Sequence, residues 1–329
     1  MDRRRATGIA LVLVSAAAFG SGSLFAQPVY AAGVDWLTLS AWRFLFGAGL
    51  TWCFLLVSVD RRHGFRAMDR RAVVAAVGLG VLYVGNSGTY YAALETVSPS
   101  LAALVVYLYP AIVAVLSLRF GRRLRGRRAW LALGISLTGV VLAVGGIDPD
   151  DRPPVTGLLL AFASCFIYAV WVVLAARLSG ERREAVGEVA AGEAAAAGAA
   201  GSATAPVALI MTATATVYWV SALGTGRPVL PAQIPPEAWV GLIGVGVGAT
   251  FIAIQTFYAG AQRVGAAHAA LISTAEPIWT IVLAAILFSV ALTPIQLVGG
   301  ALILIGVVIA QTGPAGEREP APTIRVADE

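Results

Sequence analysis

The sequence predicts an all-α membrane protein in which ten transmembrane helices form two inverted five-helix repeats. Three observations carry this prediction: the scarcity of charge, ten apolar runs of membrane-spanning length, and an internal repeat. Only 12% of the 329 residues are charged and 58% are hydrophobic, whereas about a quarter of the residues of a soluble domain are charged. The deficit extends along the whole chain, which favours a protein embedded in lipid.

The ten apolar runs are separated by short connections. A helix needs about 20 residues to cross ~30 Å of hydrocarbon, because each residue adds about 1.5 Å. The first run follows Arg3–Arg5 and resembles a signal peptide, but the repeat makes it the counterpart of the sixth run, so we expect it to be retained. The predicted spans are 7–28, 35–58, 72–94, 98–119, 128–146, 155–177, 203–224, 237–262, 266–289 and 294–312.

Arginine placement predicts the orientation of these spans. All 23 basic residues are arginine. With the N-terminus inside, twenty of them fall in cytoplasmic segments, two (Arg152 and Arg227) fall in outer loops, and Arg43 lies within the second span. Cytoplasmic loops of membrane proteins carry such an excess of basic residues. We therefore expect both termini in the cytoplasm and a location in a bacterial inner membrane.

A polar segment interrupts the apolar pattern at 179–202. It contains four glutamates among Ala and Gly residues, and each carboxylate would cost roughly 2.5–3.5 kcal/mol at the centre of a span. We predict a first five-helix repeat region over 1–178, a flexible cytoplasmic linker over 179–202, and a disordered cytoplasmic tail over 314–329. Helices 7–10, over 203–313, complete the second repeat, which begins with helix 6 at 155–178.

The internal repeat has a constant register over most of its length. A shift of 167 positions places Thr89-Tyr90-Tyr91-Ala92 on Thr256-Phe257-Tyr258-Ala259, Pro110 on Pro277, and Gly139-Val140-Val141 on Gly306-Val307-Val308. Helix 1 matches helix 6 at another offset, which places Thr7-Gly8 on Thr156-Gly157. Because each repeat has an odd number of helices, the two repeats are predicted to cross the membrane in opposite senses, as in transporters with inverted repeats.

The repeated motifs resemble a known family. The first copy reads Tyr90-Tyr91-Ala92-Ala93-Leu94, then Ser98-Pro99-Ser100-Leu101-Ala102-Ala103-Leu104 and Tyr109-Pro110, and the second reads Ala261-Gln262-Arg263-Val264-Gly265-Ala266 followed by Glu276-Pro277. These stretches, together with Leu292–Gly300, resemble the EamA-like ten-helix transporters of the drug/metabolite transporter superfamily. The resemblance covers most of 7–312 and implies similarity to exporters of amino acids, metabolites or drugs. The Gly-Glu pairs that this family often has after helices 4 and 9 are replaced by Gly121-Arg122 and Ser289-Val290.

Glu276 is the first candidate site residue, because an ionisable group within a span is costly and is often functional. Ser273, Glu276 and Thr280 recur at helical spacing and predict one polar stripe. Pro277 and Pro110 break the backbone hydrogen-bond ladder, and the carbonyl freed beside Glu276 could bind a substrate or water. Glu276 could bind a substrate amine, couple protons, or make a structural hydrogen bond between helices.

The second group of candidates comes from other spans. Arg43 could bind a substrate carboxylate, reach outward to the membrane surface, or pair with Glu276; the family usually has Arg here, which suits a shared structural role. Asn86, Tyr90 and Gln255 could line a cavity or join helices. Trp279 could pack against a substrate or within the core.

The function predicted from these features is a secondary transporter, with export as the favoured direction. Its partners would be a small-molecule substrate and the lipid bilayer, with proton coupling left open; no nucleic-acid partner, cofactor, metal or catalytic residue is predicted, and the oligomeric state is undetermined. Two alternatives remain: an integral-membrane enzyme acting on lipid-linked substrates, which needs a nucleophile or metal set, and a membrane scaffold or sensor without transport.

Overall fold

A computed structural model describes residues 3–120, 126–145, 153–178, 204–264, 269, 272–289 and 293–311. These residues form helices joined by turns and short loops, and no β-strand occurs among them. The predicted linker (179–202) and tail (314–329) lie outside the described residues.

The helices follow the predicted spans closely. In chain order they are α1 Arg3–Ala31, α2 Trp36–Val57, α3 Val59–Arg66, α4 Arg70–Ala93, α5 Pro99–Val106, α6 Tyr109–Phe120, α7 Gly126–Gly145, α8 Val155–Leu178, α9 Thr204–Gly224, α10 Ala238–Ile243, a π-helix Gly244–Ile252, α11 Ala253–Val264, α12 Ala275–Phe288 and α13 Pro294–Gln311. Several starts are capped by side chains. Asp35, for example, accepts hydrogen bonds from the backbone N–H groups of Leu37 and Thr38, which have no partner within the helix.

Six of these helical stretches are long and apolar enough to cross a membrane, and four shorter apolar helices accompany them in the described part of the chain. Many large apolar side chains point away from the bundle, among them Val57 (82% exposed), Val240 (73%) and Ile286 (72%). Such exposure would be costly in water but is expected where side chains contact lipid. The fold is that of a multi-pass membrane protein.

Three features differ from the sequence prediction. The fourth span is not one helix, because α5 and α6 are separated by a turn at Tyr107–Leu108. A turn also occurs at Thr274, just before α12, and a shift of 167 positions places Tyr107 on it. Both breaks precede Pro110 and Pro277, since a proline ring clashes with the carbonyl one turn back and supplies no N–H.

The other two differences are local. The eighth span contains the nine-residue π-helix Gly244–Ile252, which apolar periodicity cannot distinguish from α-helix. The short helix α3 carries Arg61, Arg62 and Arg66 directly after α2, in a stretch that the sequence suggested was only a connection.

The helices pack as antiparallel pairs that join the two halves of the chain. Helix α1 packs along α10, the π-helix and α11, α2 along α9, α4 along α8, and α7 along α13. Glycines allow several of these close approaches. An ideal Cβ built on Gly241 would lie 2.6 Å from the carbonyl oxygen of Phe25, and one built on Gly260 would lie 2.9 Å from that of Gly8. Small residues at such interfaces let helix backbones approach in a membrane, where packing replaces the hydrophobic effect.

Candidate functional site

A central cavity lies between the two halves of the chain, and its roughly 1000 Å³ includes space open to solvent. Its walls come from α1, α2, α4, α5 and α6 on one side and from α8, the π-helix, α11 and α12 on the other. Six of the predicted site residues line it: Arg43, Asn86, Tyr90, Ser273, Glu276 and Thr280. These six residues come from three predicted spans, the second, third and ninth, and contribute side chains to one chamber.

Arg43 is held inside the bundle by hydroxyl groups and aromatic rings. Its Nε donates to Thr250 Oγ1 at 2.8 Å, and its Nη1 donates to Ser87 Oγ at 3.3 Å. Its Cζ lies 4.8 Å from the ring centre of Phe44 and 4.7 Å from that of Tyr91. Contacts of a cation with ring faces are attractive.

The burial of Arg43 bears on two of its predicted roles, reaching the membrane surface and pairing with Glu276. The side chain is only 6% exposed, so it does not reach the membrane surface. Within the described residues no carboxylate lies within 4.0 Å of it, and Glu276 is therefore not its ion-pair partner in this structure. A buried cation surrounded by neutral groups attracts an anion.

The π-helix supplies the group that orients Arg43. Thr250 Oγ1 donates to the carbonyl oxygen of Val245 at 2.9 Å while it accepts from Arg43. The neighbouring Gly246 lets α2 approach, because an ideal Cβ there would lie 3.2 Å from the carbonyl oxygen of Arg43 and 2.7 Å from the Cβ of Phe46. Runs of π-helix are rare and often mark functional positions.

Glu276 is linked to the helix break by Tyr107. The Tyr107 hydroxyl lies 2.9 Å from Glu276 Oε2 and 2.8 Å from the carbonyl oxygen of Ser273. That carbonyl is the one left without a helical donor by Pro277, so the structure gives it a protein partner rather than leaving it for a ligand. A phenol has one proton. When Glu276 is protonated, its carboxyl can donate to Tyr107 while Tyr107 donates to Ser273.

Two polar residues of the predicted site, Asn86 and Thr280, both line the cavity and join helices. Asn86 Oδ1 accepts from Ser164 Oγ at 2.9 Å, which joins α4 to α8. Thr280 Oγ1 donates to the carbonyl oxygen of Gly20 at 3.0 Å, which joins α12 to α1. Both side chains also face the central cavity, so hydrogen bonds between helices hold its walls in place.

Two predicted site residues lie outside this cavity. Trp279 is 42% exposed, and its Nε1 donates to Ser21 Oγ at 3.0 Å on the outer surface of the bundle. One residue along a helix turns a side chain by about 100°, so Trp279 points away from the cavity that Thr280 faces. Gln255 lines no cavity described here, and its buried Nε2 has no hydrogen-bond partner within the described residues.

Five of the six tyrosines that line the cavity were missed by sequence reasoning. Tyr83, Tyr91, Tyr107, Tyr109 and Tyr168 line it together with Tyr90, but only Tyr90 was among the predicted site residues. The repeat contained the missing signal. A shift of 167 positions places Tyr109 on Glu276, and the helix 1 offset of 149 (Thr7 to Thr156) places Phe19 on Tyr168.

Within the described ranges, His, Cys, Asp and Glu side chains do not gather in any group of three or more. The central cavity combines one guanidinium, one carboxyl, several hydroxyls and aromatic rings, which are groups that bind small organic solutes.

Comparisons with known proteins agree with this architecture. The chain is 27% identical over 306 residues to an uncharacterized transporter of Archaeoglobus fulgidus, covering 92% of this chain and 96% of the relative. It is 27% identical over 305 residues to the uncharacterized transporter YcbK of Bacillus subtilis, covering 90% of each. A solved crystal structure with 22% sequence identity shares the fold at a TM-score of 0.61, over 93% of this chain and 97% of the other.

The family comparison extends over both halves. The EamA-like transporter family matches this chain twice, over residues 6–145 and over residues 155–312. These two stretches include α1–α7 and α8–α13, and so contain every helix that lines the central cavity. The chain belongs to the EamA-like transporter family.

Proposed function

We propose that this protein is a secondary transporter that binds a small amphipathic solute in the central cavity and exposes it alternately to the two sides of a bacterial inner membrane. The observation that carries this proposal is the buried Arg43, which faces a cavity built by both halves and has no carboxylate partner in the described part of the chain. A buried charge without a counterion is costly, and a solute with an anionic group would offset that cost.

The proposal includes ten spans arranged as inverted repeats with both termini in the cytoplasm. The six long apolar helices, together with the four shorter ones, would supply ten spans. The contact of α1 with the end of α11 is repeated by a contact of α8 with the segment that follows α4. An ideal Cβ on Gly8 would lie 2.6 Å from Val264, and one on Gly157 would lie 2.9 Å from Val97. The helix 1 offset places Gly8 on Gly157, and the shift of 167 positions places Val97 on Val264. The two contacts are therefore equivalent, which supports a two-fold relation between the halves.

Two hydrogen bonds between the halves are also made at equivalent positions of the repeats. Ser15 Oγ donates to the carbonyl oxygen of Ala253 at 2.7 Å, and Ser164 Oγ donates to Asn86 Oδ1 at 2.9 Å. The helix 1 offset places Ser15 on Ser164, and the 167-residue shift places Asn86 on Ala253. In transporters with inverted repeats, one half can adopt the conformation of the other, which moves access from one side to the other around a fixed site.

The cavity groups favour an amino-acid-like solute. Arg43 would bind a carboxylate, and Glu276, held by Tyr107 at 2.9 Å, would bind an ammonium group or exchange a proton. The tyrosine rings would contact the apolar part of the solute. We assign the outward direction from the family's exporters, and we expect an ion gradient or the solute gradient itself to supply the energy.

The experiment that tests this function is a solute screen in proteoliposomes. Candidate zwitterions, organic anions and drugs are loaded inside, and their movement is measured with and without an imposed pH gradient. The variant Arg43→Gln removes the charge at similar length, so transport of the wild-type solute should be lost while the protein stays folded. The matched control is Arg227→Gln, since Arg227 is half exposed at the end of a loop. Equal loss in both variants, or full transport in Arg43→Gln, would contradict the proposal.

A further inference from the structure

A second, smaller cavity lies on the other side of Arg43. This side cavity is bounded by α2, α4, α8, α9, the π-helix and α11, and its roughly 440 Å³ includes space open to the surroundings. Most of its walls are apolar, formed by Phe44, Trp171, Val207, Ile210, Met211 and Ile254. Among the described residues, only Arg43 and Tyr83 line both cavities.

The guanidinium of Arg43 therefore faces two different environments. The Tyr91 ring that it contacts at 4.7 Å belongs to the wall of the central cavity, and the Phe44 ring that it contacts at 4.8 Å belongs to the wall of the side cavity. Thr250 fixes Nε from the side-cavity wall, and Ser87 fixes Nη1 from the central-cavity wall. An anion bound at Arg43 thus lies within reach of an apolar chamber.

The apolar lining indicates what the chamber would hold. Protein interiors pack densely and leave few voids, and an empty apolar cavity is destabilising because its lining loses contacts. Apolar cavities remain dry and bind apolar groups instead of water. The cation at one end and the hydrocarbon walls at the other match an anion that carries an alkyl or aryl end.

We propose that the side cavity is the subsite for the apolar end of the transported solute, and that the preferred solute joins this apolar end to the carboxylate that binds Arg43. This inference rests on the proposed function and narrows its substrate class. The same chemistry could be supplied by a soluble carboxylate or by an acyl chain from the bilayer, and the experiment below separates these sources.

The test is a binding series with protein in lipid nanodiscs. Straight-chain carboxylates from acetate to hexanoate are compared with the primary amides of the same lengths. Each added methylene should strengthen carboxylate binding about fourfold, equivalent to ~0.8 kcal/mol per buried CH₂, until the side cavity is full. The amides should bind at least about tenfold more weakly, because hydrogen bonds to charged groups contribute more. In Arg43→Gln the two series should coincide.

Variants of α9 locate the site of chain-length selectivity. Val207 is buried at 4% exposure and lines the side cavity, whereas Val220 on the same helix is 66% exposed. Val207→Phe should end the increase in affinity at a shorter chain, and Val207→Ala should extend it to a longer one. Val220→Phe adds the same ring outside the cavity and should leave the series unchanged. If Val207→Phe does not fold, the shift to longer chains expected for Val207→Ala still tests the subsite.

The outcomes separate the inference from the function it rests on. Affinity that depends on Arg43 but not on chain length, or a maximum chain length that neither Val207 variant moves, overturns the side-cavity subsite and leaves the transporter proposal standing. Equal length dependence for carboxylates and amides, unaffected by Arg43→Gln, indicates bilayer partitioning or an acyl-chain site and also overturns it. A normal length series without any solute movement in proteoliposomes contradicts transport instead.

Discussion

Gly139 of α7 and Gly299 of α13 lie directly against each other. An ideal Cβ on Gly139 would be 2.5 Å from the carbonyl oxygen of Gly299, and one on Gly299 would be 2.5 Å from that of Gly139. A second contact between these helices is equivalent to the first. The shift of 167 positions places Gly139 on Gly306 and Ala132 on Gly299, and an ideal Cβ on Gly306 would lie 2.7 Å from the carbonyl oxygen of Ala132. Equivalent helices of the two repeats thus meet through equivalent residues.

This contact predicts a strong position dependence on α7. Gly139→Val should destabilise the folded protein by about 1–3 kcal/mol or more, because a side chain cannot enter without moving α13. The control is Gly134→Val on the same helix, where an added Cβ meets nothing within 4 Å. Thermal unfolding in detergent measures the difference. Similar unfolding temperatures for the two variants would contradict this packing.

The close contact also explains why much of the fold was predictable. Crossing a membrane requires long apolar helices with all backbone groups bonded internally, so hydropathy alone located most helix bounds. The register that places Gly139 on Gly306 came from sequence and agrees with the observed contacts. The π-helix and the turn at Tyr107–Leu108 depend on packing and hydrogen bonds across helices, which periodicity does not contain.

The site was most predictable where a residue was costly in lipid or lay at helical spacing from such a residue. Arg43, Asn86 and Glu276 could be identified because charged or amide groups within a span need a reason to be there. Tyr107 and Thr250 could not, because a tyrosine or threonine is common in apolar helices. Their importance comes from neighbours more than 150 positions away in the chain, Glu276 and Arg43.

The orientation prediction is tested by reporter fusions. A reporter active only in the cytoplasm should be active at Gly64 on α3, at Gly126 at the start of α7, and at the C-terminus, and inactive near Asp150. The reason is the excess of arginines around the first two positions. Activity at Asp150 equal to that at Gly126 would contradict the ten-span topology.

Thr250→Val tests how Arg43 is held. The substitution removes the hydroxyl that accepts from Arg43 Nε at 2.8 Å while it nearly keeps the size of the side chain. Because hydrogen bonds to charged groups contribute about 1.5–3 kcal/mol, we expect solute binding to weaken roughly ten- to hundredfold. Thr256→Val is the control, since the Thr256 hydroxyl bonds only to nearby carbonyls of its own helix. Equal effects of the two substitutions would exclude an orienting role.

Tyr107→Phe tests the link between α5 and α12. It removes the donor to Glu276 Oε2 and to the Ser273 carbonyl oxygen, so we expect a loss of stability of about 1–3 kcal/mol. A double-mutant cycle with Glu276→Gln isolates the interaction between the two side chains. A coupling free energy near zero, with unfolding measured for all four proteins under one condition, would show that the two groups act independently.

Glu276→Gln tests whether the carboxyl couples transport to protons or binds a cationic group. The amide keeps the size of the side chain and can still accept the hydrogen bond from Tyr107, so the fold should be retained. It cannot ionise, so transport should fall severely and any pH dependence should flatten. Glu276→Asp should retain part of the activity, because it keeps the charge with a shorter reach.

A purely structural role for Glu276 gives the opposite pattern. Gln would then be tolerated, and Ala would destabilise the protein because it loses both the hydrogen bond to Tyr107 at 2.9 Å and the volume of the side chain. The measurement is solute movement per folded protein over a range of pH around neutrality, with folding checked by gel filtration in detergent. Wild-type transport with an unchanged pH profile in Glu276→Gln would exclude both coupling and cation binding by this carboxyl, and would leave Arg43 as the charged group of the cavity that acts on the solute.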